Sequence, residues 1–364
     1  MVTDKEDTVT ATLSDKPPPT VYASLLMPTE EQKSSALHVL QVFFYVLFAI
    51  AVPLTLCNII VFCQKEMRGA TSVYVIGLSV AQLIYIIAYV ILLILQETLA
   101  SYSTSYVYWV YFMAATVYLS SVVRRASYVV MCVVSMERLY AVVRPLHIQD
   151  FFLSKYPVLS LSAVYIGTAV WHVYIIARSV VVGVKDERSG TIRYMPVRTE
   201  LYYRHQAVND GFGLAAKIIL TYVGLGAQIL LNVLTIWALR RHNTTTKAMR
   251  TPTADDEAKR LRERQLTVTI LAATISYVIL SLPFAFHNLF HTIFAEYKPF
   301  GQYNNLYNVV GSSVYNLTVI SCAVDFICFV VLSSNYRNTL FRLLGIARKK
   351  STLPGKVTET ENTA

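Results

Sequence analysis

Charge is what this sequence has least of. Only 15% of its 364 residues are Asp, Glu, Lys or Arg, against roughly 25% in an average soluble domain. Segments 72–95 and 265–292 contain none. A large soluble all-α protein needs a charged face on each helix, so these segments speak against that class. Cysteine is scarce as well. Cys57, Cys63, Cys132, Cys322 and Cys328 all fall inside apolar runs, which leaves none for a disulfide facing an oxidising compartment. They read as small buried apolar side chains. The first 36 residues open with Asp4, Glu6 and Asp7 and lack the basic-then-apolar pattern of a cleavable signal. There is no His/Asp/Glu group at metal-ligand spacing and no Ser/His/Asp set, so neither an enzyme nor a resident metal or cofactor is expected. The net charge of +10 has no soluble domain to carry it onto a nucleic acid.

What the chain does have is apolar length. Mean hydropathy is +0.47, and 55% of residues are hydrophobic. A bilayer core of about 30 Å takes about 20 residues of helix. Seven segments qualify: 38–63, 72–95, 107–143, 157–183, 213–240, 265–292 and 304–333. Several contain Tyr, Ser or Asn, whose polar groups must be satisfied inside the protein. The expected fold is an all-α membrane protein, a seven-transmembrane helix bundle followed by a short amphipathic helix over 335–347.

Basic residues cluster on one set of loops, among them Lys65, Arg68, Arg144, Arg240, Arg241, Lys259 and Arg264, and in the C-terminal tail at Arg348, Lys349 and Lys350. Positive charge marks the cytoplasm, so the N-terminus is expected outside, in a plasma-membrane protein that crosses repeatedly. The organisation read from this is an extracellular disordered tail over 1–37, a seven-helix domain over 38–345 and a cytoplasmic disordered tail over 346–364. Residues 241–262 read as a short charged loop.

Several polar residues recur at helical positions where apolar ones are the default. Glu137 and Arg138 close the third span and precede Leu139, with Arg144, Pro145 and Leu146 following. Asn58 sits in the first span, Gln82 in the second, and Pro283 interrupts the sixth. Asp325 lies in the seventh, ahead of Phe329 and then Tyr336. Together these resemble the signature positions of rhodopsin-like (class A) G-protein-coupled receptors, from about Asn58 to Leu344.

The resemblance implies a receptor that activates heterotrimeric G proteins, with arrestin as a further partner. It implies that Arg138, beside Glu137, is clasped in the resting state by Glu263, which lies 20 residues before Pro283. A buried pair of this kind is a two-state latch. It also places Leu146 where the family inserts an apolar side chain into the G protein. The departures point to a divergent, invertebrate-type peptide or chemosensory branch. Gln82 replaces the second-span Asp, so Asp325 is the acid left beside Ser127 and Ser321. Ser281 replaces the sixth-span Trp, and Phe326 and Phe329 replace the seventh-span Pro and Tyr. The fifth-span Pro is absent.

Ser120 stands where amine receptors carry an Asp, which argues against a biogenic amine. The seventh span has no Lys for a retinal Schiff base. Arg124 and Arg125 lie midway along the third span. An intramembrane Arg is a functional candidate by default. At about 100° per residue, Arg124 shares a face with Ser120, Ser127 and Arg138, whereas Arg125 points to a neighbouring helix. Two readings of Arg124 stand: it receives the anionic group of an extracellular peptide or small ligand, or it pairs with Asp325 and organises the bundle. Phe284, His287, Asn288 and His291 run along the outer half of the sixth span. With Tyr118, Tyr315 and Asn316 they could line an aromatic cleft. A second class of function, an ion or solute transporter or channel, would use Arg124, Gln82 and Asp325 as a polar path. No inverted repeat or broken helix pair supports it.

Overall fold

A computed structural model describes residues 28–99, 105–177, 179–185, 192–246, 254–298 and 301–346. Among them, seven helices are long and apolar enough to cross a membrane. They are α1 (Glu30–Phe62), α2 (Ala70–Leu99), α3 (Ser105–Val143), α4 (Pro157–Trp171), α5 (Gln206–Ala216, continued through Lys217–Val223 and Gly224–Thr246), α6 (Ala254–Ile293) and α7 (Asn304–Leu332). A short α8 (Ser334–Leu343) follows. Helix α3 packs against α2, α4 and α5, while α7 packs against α1 and α6.

The helices outrun the apolar segments that announce them, because hydropathy marks lipid-facing length whereas hydrogen bonding runs on to a cap. Helix α1 starts at Glu30, not 38. Thr29 and Gln32 form a reciprocal capping box, and Glu30 and Glu31 complement the helix dipole. The expected tail over 1–37 therefore ends earlier. The expected loop 241–262 is largely helical, with α5 running to Thr246 and α6 starting at Ala254. The tail over 346–364 lies almost wholly outside the described residues.

The fourth span is shorter than expected. It stops at Trp171, resumes for one turn over Val173–Ala177, and gives way to β1 (Ser179–Lys185). Three consecutive valines, Val180, Val181 and Val182, favour extended backbone over helix. The strand pairs antiparallel with β2 (Ile192–Arg198), Gly183 opposite Tyr194. Neither strand was expected from periodicity. Beyond β2, Thr199 caps a short turn, Glu200–Arg204, that leads into α5.

Within the spans, polar side chains lie inside and many large apolar ones face outward. Thr55, Asn58, Gln82, Ser127, Thr274 and Asn316 are buried, whereas Val39, Val46, Ile50 and Ile60 on α1 and Val158, Ile166 and Val170 on α4 are exposed. Water would reverse that arrangement; a bilayer requires it, since polar groups find partners only within the protein. The buried apolar residues fill two clusters. One holds Tyr74, Tyr128, Met131, Phe329 and Tyr336. The other holds Phe44, Tyr85, Ile86, Val123 and Val319.

Two local devices position the site. Helix α5 lacks a proline but bulges through a π-helical segment, Lys217–Val223. Such segments widen the turn and leave carbonyls without their usual partner; the Cys132 thiol donates to Gly224 O at 2.9 Å. Helix α8 is fixed at both ends. Ser333 Oγ accepts from Tyr336 N–H, and Gly345 at φ 70° lets Ile346 N–H bond back to Phe341 O. Its Tyr336, Thr339 and Leu340 are buried, while Phe341, Leu343 and Leu344 are exposed. That is the pattern of a helix lying along a membrane surface.

Candidate functional site

At the end of α3, Glu137 is buried to 2% side-chain exposure and Arg138 to 12%, and they form an ion pair at 2.9 Å. The pair is tied to α2: Thr71 Oγ1 donates to the other Glu137 oxygen at 2.8 Å and accepts from Arg138 Nη2. Two charges this far from water persist only when such bonds surround them. Arg138 Nε has no protein acceptor. The pair lines a cavity of about 270 Å³ that also touches Phe62, Glu66 and Gln265. The Glu263 side chain, expected to clasp Arg138, lies outside the described residues, although its backbone belongs to α6. Two turns of 3-10 helix, Pro145–Asp150, follow α3 and contain Leu146, whose side chain also lies outside the description. Leu139 is half-buried.

At this end Gln265 links α6 to the end of α7 and the start of α8. Its amide donates to Leu332 O at 3.0 Å and accepts from Ser334 Oγ at 2.8 Å. Nearby, Tyr336 O–H donates to Asn58 Oδ1 at 2.6 Å, fully buried. Phe329 packs edge-on against Phe62 and stacks on Tyr336. The hydroxyl absent at Phe329 is thus supplied from α8 by Tyr336. Outside the spans, Arg342 grips both oxygens of Glu66, and this bond holds the Glu66 carboxyl below its ordinary range. Pro283 lies within an unbroken α6.

In mid-bundle, Gln82 Nε2 donates to Asp325 Oδ2 at 3.1 Å, and Asp325 Oδ1 has no protein partner. Asp325 borders a cavity of about 20 Å³ with Ser79 and Thr274, room for a single water. Ser127 and Ser321 do not converge on it. Each bonds a carbonyl of its own helix, Val123 O at 2.8 Å and Thr318 O at 2.7 Å, the common resort of a hydroxyl inside a helix. No ion pair joins Arg124 to Asp325, so the expected pairing of these two residues has no contact behind it.

Arg124 instead occupies an aromatic cage. Its guanidinium carbon lies 3.9 Å from the Phe284 ring centre, 4.9 Å from Tyr315 and 5.1 Å from Tyr85. Nη2 donates to the Tyr85 hydroxyl. Arg124 is 8% exposed, and its Nη1 has no protein acceptor. Arg125 turns to α4, where it meets His172 Nε2, and His172 Nδ1 is bonded to Thr168 O at 2.7 Å. That chain of bonds fixes His172 as the neutral tautomer with its proton on Nδ1.

Of the residues expected in the cleft, Arg124, Phe284 and Tyr315 come together. His287 lies above them, bonded to Tyr297 O–H at 2.9 Å and packed on Tyr307. The other four residues expected there have partners within the bundle. Tyr118 donates to Ala169 O at 2.9 Å and braces α4. Ser120 and Asn288 turn back to Val117 O and Phe284 O on their own helices. Asn316 donates to Leu40 O at 3.1 Å across the α7–α1 interface. Ser120 and Asn288 take the carbonyl one turn back, as short polar side chains in helices commonly do, whereas Tyr118 and Asn316 bond carbonyls of a neighbouring helix.

The serpentine-type seven-transmembrane G-protein-coupled chemoreceptor family Srw matches the chain over residues 42–347. The chain belongs to that family. No curated protein matches it. In this Srw chemoreceptor the match spans every helix of the bundle and α8, so both the Arg138 end and the Arg124 cage lie inside the family's domain.

Several site residues of the chemoreceptor escaped sequence reasoning: Thr71, Tyr85, Gln265, and a group of four linking α3, α5 and α6. In that group Asn232 Oδ1 accepts from Ser135 Oγ at 3.2 Å and Thr274 Oγ1 at 3.0 Å, while Gln228 Nε2 donates to Thr274 O at 3.2 Å. One signal for it was available. Gln228 and Asn232 are amide side chains one turn apart in an otherwise apolar span, hence on one face. Thr71 and Tyr85 carried no such signal, because Thr and Tyr are common in this chain.

Proposed function

We propose that this chemoreceptor detects an extracellular chemical and activates heterotrimeric G proteins through a rhodopsin-like switch at Arg138. The observation that carries the reading is the buried Glu137–Arg138 pair on a cavity that α6 also borders through Gln265. A buried ion pair at the mouth of a bundle stores a two-state choice, because separating it is costly unless another partner replaces it. Moving α6 outward breaks the Gln265 bonds to Leu332 and Ser334 and widens the cavity for a G-protein segment. Arrestin would use the same opening. Basic loops at this end support a cytoplasmic Arg138 end, an extracellular N-terminus and residence in the plasma membrane. Glu263, two residues before Gln265 and at the position of the family's acid, is a second resting-state partner for Arg138. Glu263→Ala then raises basal nucleotide exchange; an unchanged basal rate counts against that latch.

The ligand is a small anionic chemical or an anionic peptide terminus. The support is Arg124, charged, buried and without a carboxylate, walled by Phe284, Tyr315 and Tyr85. The deciding experiment is a ligand-library screen that reads nucleotide exchange on several G proteins in membranes. Hits should be enriched in carboxylates and be silent on the Arg138→Ala receptor. Exchange that persists without Arg138, or ligand-gated conductance with no exchange, would overturn the reading.

A further inference from the structure

The Arg124 cage poses a charge problem that no described residue solves. An arginine stays charged in a protein, and this one is 8% exposed. Three rings face it with their negative π-surfaces, which offsets part of the lost hydration. Nothing described offsets the rest. The next residue, Arg125, is a second cation, and its partner His172 is held neutral by the bond from Nδ1 to Thr168 O. Asp325 is engaged by Gln82 and forms no ion pair with Arg124. The mid-section of the bundle therefore holds two guanidinium groups and one carboxyl that pairs with neither.

The free donors are specific. Nη1 of Arg124 is buried with no acceptor. The Tyr85 hydroxyl accepts from Nη2, which turns its own proton away from the guanidinium and leaves it to donate. Arg124 Nη1, and the Tyr85 O–H linked to the same guanidinium through Nη2, are thus both donors belonging to one α2–α3 contact. Two donors around one positive charge suit a single negative charge that accepts hydrogen bonds. A dianion would leave an uncompensated negative charge buried, which is as costly as the original positive one.

We propose that Arg124 and Tyr85 form a monovalent-anion site, filled by a halide-class inorganic anion in the resting receptor and by a ligand carboxylate when signal arrives. This rests on the ligand reading given above and extends it: the ligand enters by anion exchange, so its apparent affinity falls as chloride rises.

The test uses the full chain purified in lipid nanodiscs, with no G protein present. Its melting midpoint is followed in sodium chloride, sodium acetate and sodium gluconate at one ionic strength. Sodium is thereby constant, and Asp325 meets the same cation throughout. A ligand bound only by the folded state raises the midpoint saturably. Chloride should raise it by about 3 °C over gluconate, a shift typical of modest ligand stabilisation. Arg124→Gln should abolish the rise. Tyr85→Phe keeps the ring and should move half-saturation to about tenfold higher chloride, the loss of one charge-assisted hydrogen bond. A rise with chloride alone assigns the site to inorganic halide, and a rise with acetate alone to carboxylates. A rise with both supports exchange between them. Equal responses in the wild type and Arg124→Gln would overturn the site, since surface screening is common to both. Should Arg124→Gln not fold, chloride NMR line broadening by the wild type, relieved in Tyr85→Phe, makes the same decision; no broadening overturns it. The Arg138→Ala receptor should keep the full anion response. Loss of coupling with that response intact refutes the signalling reading alone; loss of the response with coupling intact refutes the anion site alone.

Discussion

Two arginines on one helix, about 21 Å apart by helical rise, meet opposite fates. Arg138 has a carboxylate on the neighbouring residue and a hydroxyl from α2, so its charge is neutralised within the protein. Arg124 has rings and a phenol but no anion. The Arg138 end is closed by side-chain bonds between helices: Thr71 to Glu137, Gln265 to Leu332 and Ser334, Tyr336 to Asn58. The Arg124 level is lined instead by aromatic faces that leave hydrogen-bonding capacity spare. One end has its charges neutralised within the protein and must be opened by force from elsewhere. The other is incomplete and has a use for something from outside. That division suits a receptor whose ligand and transducer act at different levels of one helix.

The comparison makes predictions of opposite sign. The largest concerns Arg138→Met, which strands Glu137 in the core. Breaking a buried pair costs about 3–5 kcal/mol, and the slight exposure of Arg138 puts this case at the low end. The melting midpoint should drop and exchange should vanish; a receptor of unchanged stability would show that Glu137 is neutral there. Gln265→Ala removes two hydrogen bonds worth about 1 kcal/mol each. If those bonds bias the bundle to its closed state, basal exchange should rise about tenfold, read without ligand in membranes. An unaltered basal rate would mean that α6 is held elsewhere.

Arg124→Met should go the other way from Arg138→Met. It removes an uncompensated charge while keeping the apolar stem, and apolar replacements of buried ions commonly stabilise by about 1–4 kcal/mol. Lost ring contacts return about 1–2 kcal/mol. A net gain near 1 kcal/mol should appear as a higher melting midpoint in gluconate, and a clear drop would break the contrast between the two arginines. Tyr336→Phe keeps the stack on Phe329 but leaves Asn58 Oδ1 without its donor, a loss of about 1 kcal/mol. Faster hydrogen exchange along α8 should report it.

The smallest effect is a pH dependence at the Glu66–Arg342 contact. Arg342 lowers the Glu66 carboxyl in the folded state. A group lowered on folding contributes its stability above its ordinary value, and that contribution fades as pH falls through the lowered folded value. Docking of α8 should therefore be insensitive to pH near neutrality and weaken only in acid, below the ordinary carboxylate range. Glu66→Gln should remove the acid limb, which amide exchange of α8 across a pH series would detect.

Much of the functional end could be read from the sequence because its residues are few and chemically distinctive. An Arg, an Asp or a Gln in a run of Val, Leu and Ile is conspicuous, so Arg124, Gln82, Asp325 and Arg138 stood out. Their partners did not. Ser120, Asn288 and Asn316 looked like cleft residues because they are polar, yet each had a backbone carbonyl within reach. Whether a side chain turns to its own helix or across a gap depends on distances between helices, and residue spacing along one helix does not contain them.

The sequence alone determined that seven apolar helices cross a membrane, which end of the bundle carries the ion pair, and that a charged group sits in mid-bundle. Those follow from composition and period, which act locally along the chain. Tertiary structure decided that Thr71 completes the Arg138 pair, that Gln265 joins α6 to α7, and that Asp325 answers Gln82 and not Arg124. It also decided that Tyr85, Phe284 and Tyr315 cage Arg124. These are meetings of residues on different helices, set by how the helices pack. Only that packing left Arg124 a charge with no anionic partner among the described residues.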